Sequence, residues 1–321
     1  KVQNIVIGFG KGGKTLAKFL AQRGEEVLVV EKSQQMYGGT CINIACLPSK
    51  RLVTEAARGT DFATAIKGKI EMVAQLRNKN YHMLADEETV TVLDGTAHFT
   101  GNHTIAVETA TGTEEYEGGR IFTNTGATPN IPAIPGLKDS QALLTSTTAM
   151  ELPELPARLV IIGAGYIGLE FAAMFASFGA QVTVLDHHAT FLPREDDDVA
   201  AMVKENLAKL GVEIKMGVAI KKVTDEAGQA VVRYEEQGNE QGVSADKILV
   251  AAGRHPVTEN LGLENTDIQL TDQGAIKVDP HLHTTVPNVW AIGDAKGGPQ
   301  FTYISLDDFR IIKDELFGDG T

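Results

Sequence analysis

Cys41 and Cys46 lie five positions apart in the segment GGTCINIACLPSK, and the chain has no other cysteine. In an ideal helix, residues at this spacing are about 8.6 Å apart at Cα, beyond the ~7 Å that a disulfide spans. A bond between them therefore needs an irregular first helical turn, which Pro48 suits. A disulfide that closes so short a loop is strained, so it is better suited to reversible reduction than to stabilising the fold. Two unrelated buried thiols are the alternative, and a zinc site is disfavoured because two cysteines do not complete a tetrahedral shell.

The Gly-rich segment IGFGKGGKT near the N-terminus matches two phosphate-binding patterns. The pattern Gly8-x-Gly10-x-x-Gly13 is typical of the turn that opens a dinucleotide-binding fold, and it predicts a redox cofactor. The pattern Gly8-x-x-x-x-Gly13-Lys14-Thr15 is that of a P-loop, and it predicts ATP or GTP. The segment by itself leaves both alternatives open.

The unit that contains this turn recurs 155 residues later without a gap. Residues 4–31 and 159–186 each predict a strand, a Gly-x-Gly-x-x-Gly turn, a helix and a second strand that ends in an acid, Glu31 or Asp186. The glycines permit a tight turn, a close approach to a pyrophosphate and tight helix packing, while the acid accepts hydrogen bonds from a ribose. The helix N-terminus favours the anionic phosphates.

The repeat favours the dinucleotide pattern over the P-loop. Its second copy has Gly163, Gly165 and Gly168, but Leu169 and Glu170 stand where a P-loop needs lysine and threonine. The P-loop match is therefore not part of the shared unit, and a nucleotide hydrolase remains a remote alternative. Two dinucleotides are predicted, one for each copy.

The composition restricts the class of protein. A length of 321 residues is enough for two domains, and the net charge of -13 disfavours nucleic acid and membrane surfaces as partners. No apolar run approaches the ~20 residues of a membrane span, and the N-terminus leads into a strand rather than a signal peptide. With so few cysteines, a cytoplasmic protein is expected. The predicted fold class is α/β, with two Rossmann-like, three-layer βαβ domains.

Several longer segments carry a family resemblance. GGTCINIACLPSK resembles the redox-disulfide signature of the class I flavoprotein disulfide reductases, which include lipoamide dehydrogenase, glutathione reductase and mercuric reductase. TNTGATP and AAGRHPVTENLGLE resemble the family's two crossings between its FAD and NAD domains, and TTVPNVWAIGDAKGG resembles its second FAD motif. The match covers essentially the whole chain. Within the family, the chain looks most like the reactive-chlorine-resistance and hypothiocyanous-acid-reductase branch, often labelled mercuric-reductase-like.

The chain departs from the family pattern at two places. Ala45 stands where the family usually has glycine before the second cysteine. The family also has a further C-terminal domain, which builds the dimer and supplies a catalytic His-Glu pair, and the sequence ends at Thr321, where that domain would begin. The resemblance therefore implies a fragment of a longer homodimeric protein, impaired in turnover and itself monomeric.

The resemblance also implies a domain plan. Residues 1–145 and 279–321 would form the FAD-binding domain, and residues 146–278 would form an inserted NAD(P)-binding domain.

The resemblance implies five catalytic residues. Cys46 would face the flavin and Cys41 would attack the substrate, while Lys50, paired with Glu170, would supply a positive charge. Tyr166 would cover the flavin until the nucleotide displaces it. The alternatives are a surface salt bridge for Lys50 and a packing aromatic for Tyr166.

The implied cofactor-binding residues lie in both repeat units and in the motifs that follow them; no metal ligand is predicted. Asp294 among them would bind the flavin's ribityl chain, with a helix N-cap as the alternative. The full set is Gly8, Phe9, Gly10, Gly12, Gly13, Lys14, Glu31, Lys32, Gly39, Thr40, Cys46, Lys50, Thr96, Ala97, Thr125, Gly126, Gly163, Gly165, Tyr166, Ile167, Gly168, Asp186, His187, Ala219, Gly253, Arg254, Gly293, Asp294, Phe301, Thr302 and Tyr303.

The type of nicotinamide nucleotide depends on Asp186. An acid at this position accepts ribose hydroxyls and repels a 2'-phosphate, so NADH is favoured; His187 and His188, if charged, would permit NADPH. The predicted activity is reduction of a thiol-reactive oxidant or a metal ion, such as hypothiocyanous acid, Hg²⁺ or Cu²⁺, through FAD and the cysteine pair. A dihydrolipoamide or glutathione-type disulfide reductase is the alternative.

Overall fold

The structure, a computed structural model, describes residues 1–226 and 228–318. It has two compact units. Unit 1 comprises Lys1–Asn43, Val73–Thr128 and the described residues after 254, and unit 2 comprises Ile44–Met72 and the described residues of Pro129–Arg254. Unit 1 is thus assembled from separate stretches of chain, as expected when one domain is inserted into another. Which cofactor each part binds, and with it the domain plan above, stays a prediction.

Unit 1 is built on a seven-stranded sheet in the order β3-β2-β1-β6-β5-β4, with β17 also beside β6. The pairs among β1, β2, β3, β6 and β17 are parallel, whereas β4–β5 and β5–β6 are antiparallel. Both faces of β1 are buried, since Ile5 and Ile7 lie in one apolar cluster and Val6 in another. The strands are β1 (Val2–Ile7), β2 (Val27–Glu31), β3 (Val90–Asp94), β4 (Thr96–Gly101), β5 (Thr104–Thr109), β6 (Gly112–Thr123) and β17 (Val289–Ala291).

The helices of unit 1 include α1 (Lys11–Ala21), α2 (Thr40–Asn43) and α8 (Thr302–Phe317). Leu16 and Leu20 of α1 are fully buried, and they share an apolar cluster with Ile312 of α8. The longest helix, α4 (Phe62–Ala85), contributes to both units. Neither α4 nor any other helix within residues 1–226 and 228–318 combines the length and apolarity needed to cross a membrane.

Unit 2 has a five-stranded parallel sheet in the order β11-β10-β9-β15-β8 and a separate antiparallel sheet, β12-β13-β14. Its strands are β8 (Leu143–Leu144), β9 (Arg158–Ile162), β10 (Gln181–Asp186), β11 (Glu213–Met216), β12 (Ala219–Glu226), β13 (Gln229–Glu236), β14 (Asn239–Ala245) and β15 (Lys247–Val250). Its helices are α3 (Cys46–Ala57), α5 (Ser146–Ala149), α6 (Tyr166–Phe178) and α7 (Asp197–Lys209).

Residues 44–72 belong to unit 2 because they pack on α6. The ring of Phe62 at the start of α4 lies 5.8 Å from that of Phe175 and 5.2 Å from that of Phe178, between ring centroids. Leu52 of α3 is fully buried in the same apolar cluster. This packing fixes the helix that begins at Cys46.

The predicted crossing segments form a two-stranded sheet of β7 (Ala127–Pro129) and β16 (Arg254–Pro256). Within unit 2, the Asn130 N–H donates to the Gly253 carbonyl at 3.0 Å, and within unit 1 the Val257 N–H donates to the Gly126 carbonyl at 2.9 Å. Both crossings are therefore ordered strands rather than loose linkers.

Candidate functional site

The sequence repeat is reproduced in the hydrogen bonds of the two Gly-rich turns. In unit 1, Oε2 of Glu31 accepts the Phe9 N–H at 3.0 Å. In unit 2, at positions 155 residues later, Oδ2 of Asp186 accepts the Ala164 N–H at 2.6 Å. In each copy the acid at the end of the second strand therefore holds the turn that follows the first strand.

The first glycine of each turn is required by its backbone. Gly8 has φ +103°, and a Cβ there would lie 2.4 Å from the Asn124 carbonyl oxygen. Gly163 has φ +111°, and a Cβ there would lie 2.4 Å from the Ala251 carbonyl oxygen. Because L side chains avoid this conformation and the space is occupied by backbone, both turns accept only glycine.

The second glycines cap the helices that follow, and they differ in their surroundings. Gly165 is the N-cap residue of α6. A Cβ added to Gly165 would have no described atom within 4 Å apart from its chain neighbours. This open space beside a helix N-terminus fits a pyrophosphate. At Gly10, which caps α1, the Asn124 amide nitrogen would lie 2.6 Å from a Cβ, so this turn is more closely packed.

The two acids differ in electrostatics. Burial raises the pKa of Glu31, although the N–H groups of Phe9 and Ser33 oppose the rise. Burial also tends to raise the pKa of Asp186, but hydrogen bonds from Ala164 and His188 hold that pKa below its ordinary value. The His188 N–H and Nδ1 lie 2.8 and 2.7 Å from Asp186 Oδ1. Both carboxylates keep lone pairs for a ribose diol, so both turns fit an adenine dinucleotide.

The P-loop alternative is wrong. The Lys14 Nζ donates to the Gly38 carbonyl at 3.0 Å and contacts Oδ1 of Asn80 at 2.5 Å. The Thr15 hydroxyl donates to the Lys11 carbonyl at 2.6 Å within its own helix. The two side chains that a P-loop directs at phosphate and Mg²⁺ are thus engaged inside the protein. The cofactor-binding role of Lys14 stays a prediction.

The cysteine segment begins against the first dinucleotide turn. Gly39 has φ +81°, and a Cβ there would lie 2.6 Å from the Gly10 Cα, so two backbones pack directly on each other. Cys41 follows in α2, two residues further on, and is half-buried. A redox-active side chain in this segment would lie beside whatever this turn binds.

The two cysteines are not on one continuous helix. Helix α2 ends at Asn43, and α3 begins at Cys46 after Ala45, whose backbone is non-helical with φ -139° and ψ -106°. The ideal-helix spacing that disfavours a disulfide therefore does not apply here. Pro48 lies in the first turn of α3, as a proline should. The pairing of Cys41 with Cys46 stays a prediction.

Lys50 and Glu170 form the ion pair that the resemblance implies. Within unit 2, the Lys50 Nζ on α3 lies 2.6 Å from Glu170 Oε2 on α6. The Lys50 side chain is 64% exposed, so the pair by itself contributes little to stability. The other carboxylate oxygen, Oε1, is buried and has no donor among the described residues, which leaves it available to a ligand.

Tyr166 begins α6 and is half-exposed, rather than packed inside the protein. Its hydroxyl donates to Glu195 Oε1 at 2.6 Å, and the adjacent Ile167 is also exposed. A ring held at the mouth of the second turn can move when a ligand enters, which suits the predicted covering role but does not test it.

The remaining predicted residues lie at strand and helix ends. Thr125 in unit 1 donates its hydroxyl to the Val257 carbonyl at 2.7 Å, and the rings of Phe301 and Tyr303 stack 5.3 Å apart. In the first third of the chain, Lys32 follows β2, Thr40 begins α2, and Thr96 and Ala97 begin β4. Further along, Gly126 precedes β7, Ala219 begins β12, and Gly253 and Arg254 lie at the start of β16. Near the end, Gly293 and Asp294 lie in a one-turn 3-10 helix, and Thr302 begins α8. His187 follows β10, while Gly12 and Gly13 lie in α1 and Gly168 in α6.

Sequence reasoning missed three residues, of which Asn124 and Ser305 hold the first turn and Asp308 holds Gly293. The Asn124 side chain donates to the Gly8 carbonyl at 3.2 Å, and the Ser305 hydroxyl accepts the Gly12 N–H at 3.0 Å. Asp308 is buried, and its Oδ2 accepts the Gly293 N–H at 2.7 Å. Burial raises the pKa of Asp308. A signal existed for Asp308 alone, since it stands at helical spacing between the apolar Ile304 and Ile312.

Known proteins resemble this chain along its full length. The chain is 48% identical over 320 residues to the probable pyridine nucleotide-disulfide oxidoreductase RclA of Escherichia coli K12, spanning 100% of this chain and 72% of that protein. It is 32% identical over 335 residues to the dihydrolipoyl dehydrogenase of Geobacillus stearothermophilus (99% and 70%). It is 31% identical over 331 residues to a mercuric reductase of Staphylococcus aureus (98% and 59%).

A solved structure agrees with the fold. The Cu(II) complex of the HOCl-induced flavoprotein disulfide reductase RclA from Escherichia coli has a TM-score of 0.97 at 47% identity, covering 100% of this chain and 72% of that one. A family model described as pyridine nucleotide-disulphide oxidoreductase matches residues 2–308. With two dinucleotide turns and a cysteine segment packed on the first, the chain belongs to the pyridine nucleotide-disulphide oxidoreductase family of flavoprotein enzymes.

Proposed function

We propose that the protein is an FAD-dependent NAD(P)H oxidoreductase that uses Cys41 and Cys46 to reduce a thiol-reactive oxidant or a metal ion. The observation that carries the proposal is the packing of Gly39 on Gly10, which joins the cysteine segment to a dinucleotide turn. The similarity to an HOCl-induced reductase and to a mercuric reductase supports this class of acceptor.

The two repeat units divide the cofactors between them. The turn at Gly8, the N-terminus of α1 and Glu31 would hold FAD, and the turn at Gly163 with Asp186 would hold the nicotinamide nucleotide. When bound, FAD accepts a hydride from the reduced nicotinamide and supplies two electrons to the cysteine pair.

The cysteines would carry the chemistry with the substrate. With hypothiocyanous acid, the Cys41 thiolate attacks the sulfur and releases hydroxide, and the Cys46 thiolate then displaces thiocyanate from Cys41 to form a disulfide. The two thiols lose two electrons and two protons in total, and the oxidant gains the two electrons. Cys46 is the first residue of α3, where the helix N-terminus favours its thiolate.

The first test is the visible absorption spectrum of the purified chain, recorded before and after one equivalent of NADH without oxygen. We expect a yellow protein whose spectrum changes on reduction, with a long-wavelength band that Cys46→Ser removes. Oxidants are then compared: hypothiocyanous acid, N-chlorotaurine, Cu²⁺, Hg²⁺, lipoamide and glutathione disulfide. A protein that stays colourless with added FAD contradicts the proposal.

A second candidate function is that of a dihydrolipoamide or glutathione-type disulfide reductase, which interconverts lipoamide and dihydrolipoamide or reduces glutathione disulfide, because a dihydrolipoyl dehydrogenase is 32% identical. The same comparison of oxidants separates the two. Faster turnover of lipoamide or glutathione disulfide than of the inorganic oxidants favours this candidate instead.

We infer that NADH is the preferred nucleotide, because the Asp186 carboxylate repels a 2'-phosphate. The expected ratio of kcat/KM for NADH over NADPH is about tenfold or more, and Asp186→Ser brings it close to one. Steady-state kinetics with both nucleotides measure the ratio. Asp197→Asn, at an exposed acid of α7, is the matched control and leaves it unchanged. A wild-type preference for NADPH would point to His187 and His188 as phosphate ligands.

We also propose a cytoplasmic location, where a reducing environment keeps a reactive cysteine pair from permanent oxidation. The monomeric state of this chain and the homodimeric state of a longer protein stay predictions.

A further inference from the structure

Lys14 is a buried cation that the proposed reaction does not use. Its side chain on α1 is 5% exposed, and both acceptors of its ammonium, the Gly38 carbonyl and Asn80 Oδ1, are neutral. Burying an ammonium without a carboxylate partner costs free energy. A buried lysine with neutral acceptors therefore suggests that its charge is used by something else in its surroundings.

The bonds of Lys14 join three elements of unit 1. Asn80 on α4 donates its amide to the Leu76 carbonyl at 2.7 Å, and this orients Oδ1 toward Lys14. Gly38 lies three residues before Cys41, and a Cβ at Gly38 would lie 3.0 Å from the Asn80 side chain. Lys14 thus ties the start of the cysteine segment to both α1 and α4.

A second side chain of α4 fixes the other end of the segment. The Arg77 Nε, one turn before Asn80, donates to Asn43 Oδ1 at 2.9 Å. The Asn43 amide in turn donates to the Tyr37 and Gly39 carbonyls, each at 2.9 Å. The residues on both sides of Cys41 are therefore held by two cations: Lys14 binds the Gly38 carbonyl before Cys41, and Arg77 binds Asn43 after it.

Two titratable groups act on the charge of Lys14, namely Lys11 on its own helix and Cys41 on α2. The neighbour of Lys14 on α4 is the neutral Asn80. Burial lowers the pKa of Lys14 to about 8, and Lys11 adds to this, whereas a negative charge on Cys41 raises it. Coupling between two titrating groups is reciprocal, so a charged Lys14 favours the thiolate of Cys41.

We propose that Lys14 is a positioning residue for Cys41, which holds the segment 38–43 in place and favours the thiolate form of that cysteine. The inference rests on the proposed role of Cys41 as the attacking thiol. It gives the lysine of the GKGGKT segment a role in thiol chemistry instead of phosphate binding.

The test measures the thiol directly, without an electron donor, so its failure is distinguishable from failure of the proposed turnover. In a Cys46→Ser background, the rate of Cys41 alkylation by iodoacetamide is followed by mass spectrometry between pH 6 and 9.5. Lys14→Met is expected to lower the rate at pH 7 about tenfold and to move the midpoint of the pH profile upward by about one unit. Lys79→Gln removes the same charge at an exposed residue beside Asn80 and leaves the profile unchanged.

Asn80→Ala keeps the lysine but removes one acceptor of its ammonium. It is the second test variant, used if Lys14→Met does not fold. The midpoint is expected to move in the same direction by a smaller amount, because the ammonium keeps only one of the two acceptors that hold it beside the segment 38–43. An unchanged midpoint in folded Lys14→Met, or in Asn80→Ala when the first variant does not fold, overturns the proposal.

Discussion

Cys41→Ser is expected to lower NADH-driven reduction of the oxidant by about a thousandfold or more, because a serine hydroxyl is neither ionised near neutral pH nor able to form a disulfide. The substitution is nearly isosteric at a half-buried residue, so the fold and the bound FAD should be retained. Anaerobic assays of NADH consumption measure the loss, and the visible spectrum checks the flavin.

Cys46→Ser is the informative comparison for this variant. It should lose turnover as well, but Cys41 remains available for a single alkylation. If Cys41→Ser keeps a tenth or more of the wild-type rate with hypothiocyanous acid or Cu²⁺, electrons reach the acceptor without the cysteine pair, and the assigned chemistry is wrong.

The second large effect is expected at the turn proposed to bind the nicotinamide nucleotide, where substitution of Gly163 should affect stability and substitution of Gly165 should affect binding. Gly163→Ala forces a Cβ to within 2.4 Å of the Ala251 carbonyl at φ +111°. We expect it to lower the free energy of unfolding by about 2–4 kcal/mol, from backbone conformation and overpacking together. Denaturant unfolding, followed by circular dichroism, measures the change.

Gly165→Ala is the matched control for stability and the test of ligand binding. Gly165 has an extended backbone, and the space around its missing Cβ is open among the described residues. Unfolding should therefore change little, whereas KM for NADH should rise about tenfold because the methyl group occupies the space of the pyrophosphate. An unchanged KM would place the nucleotide elsewhere.

The sequence predicts the two turns well because their determinants are local. Glycine spacing and the acid at the end of the second strand are separated by a fixed number of residues, and the hydrogen bonds of Glu31 and Asp186 repeat at the same offset. The α/β class and the presence of two dinucleotide units follow from that repeat. For the break between α2 and α3 at Ala45, the sequence predicts only that a Cys41–Cys46 disulfide needs an irregular turn.

Contacts over long separations were not predictable in the same way. Lys14 meets Asn80 across 66 residues and Asn124 meets Gly8 across 116, and no short pattern connects those positions. The acceptors of the Lys14 ammonium are the Gly38 carbonyl and Asn80, which lies on a helix whose polar residues resemble any solvated face.

The hydrogen bonds of the two Gly-rich turns have a consequence for how cofactors are captured. Each turn is closed by a carboxylate of its own unit and backed by the carbonyl of the residue that follows a strand, Asn124 or Ala251, so contacts within the protein define its shape. Little binding free energy is then lost to ordering the loop, and loading can follow folding as rigid-body recognition. Such preorganisation would let each turn take up its dinucleotide again quickly after losing it.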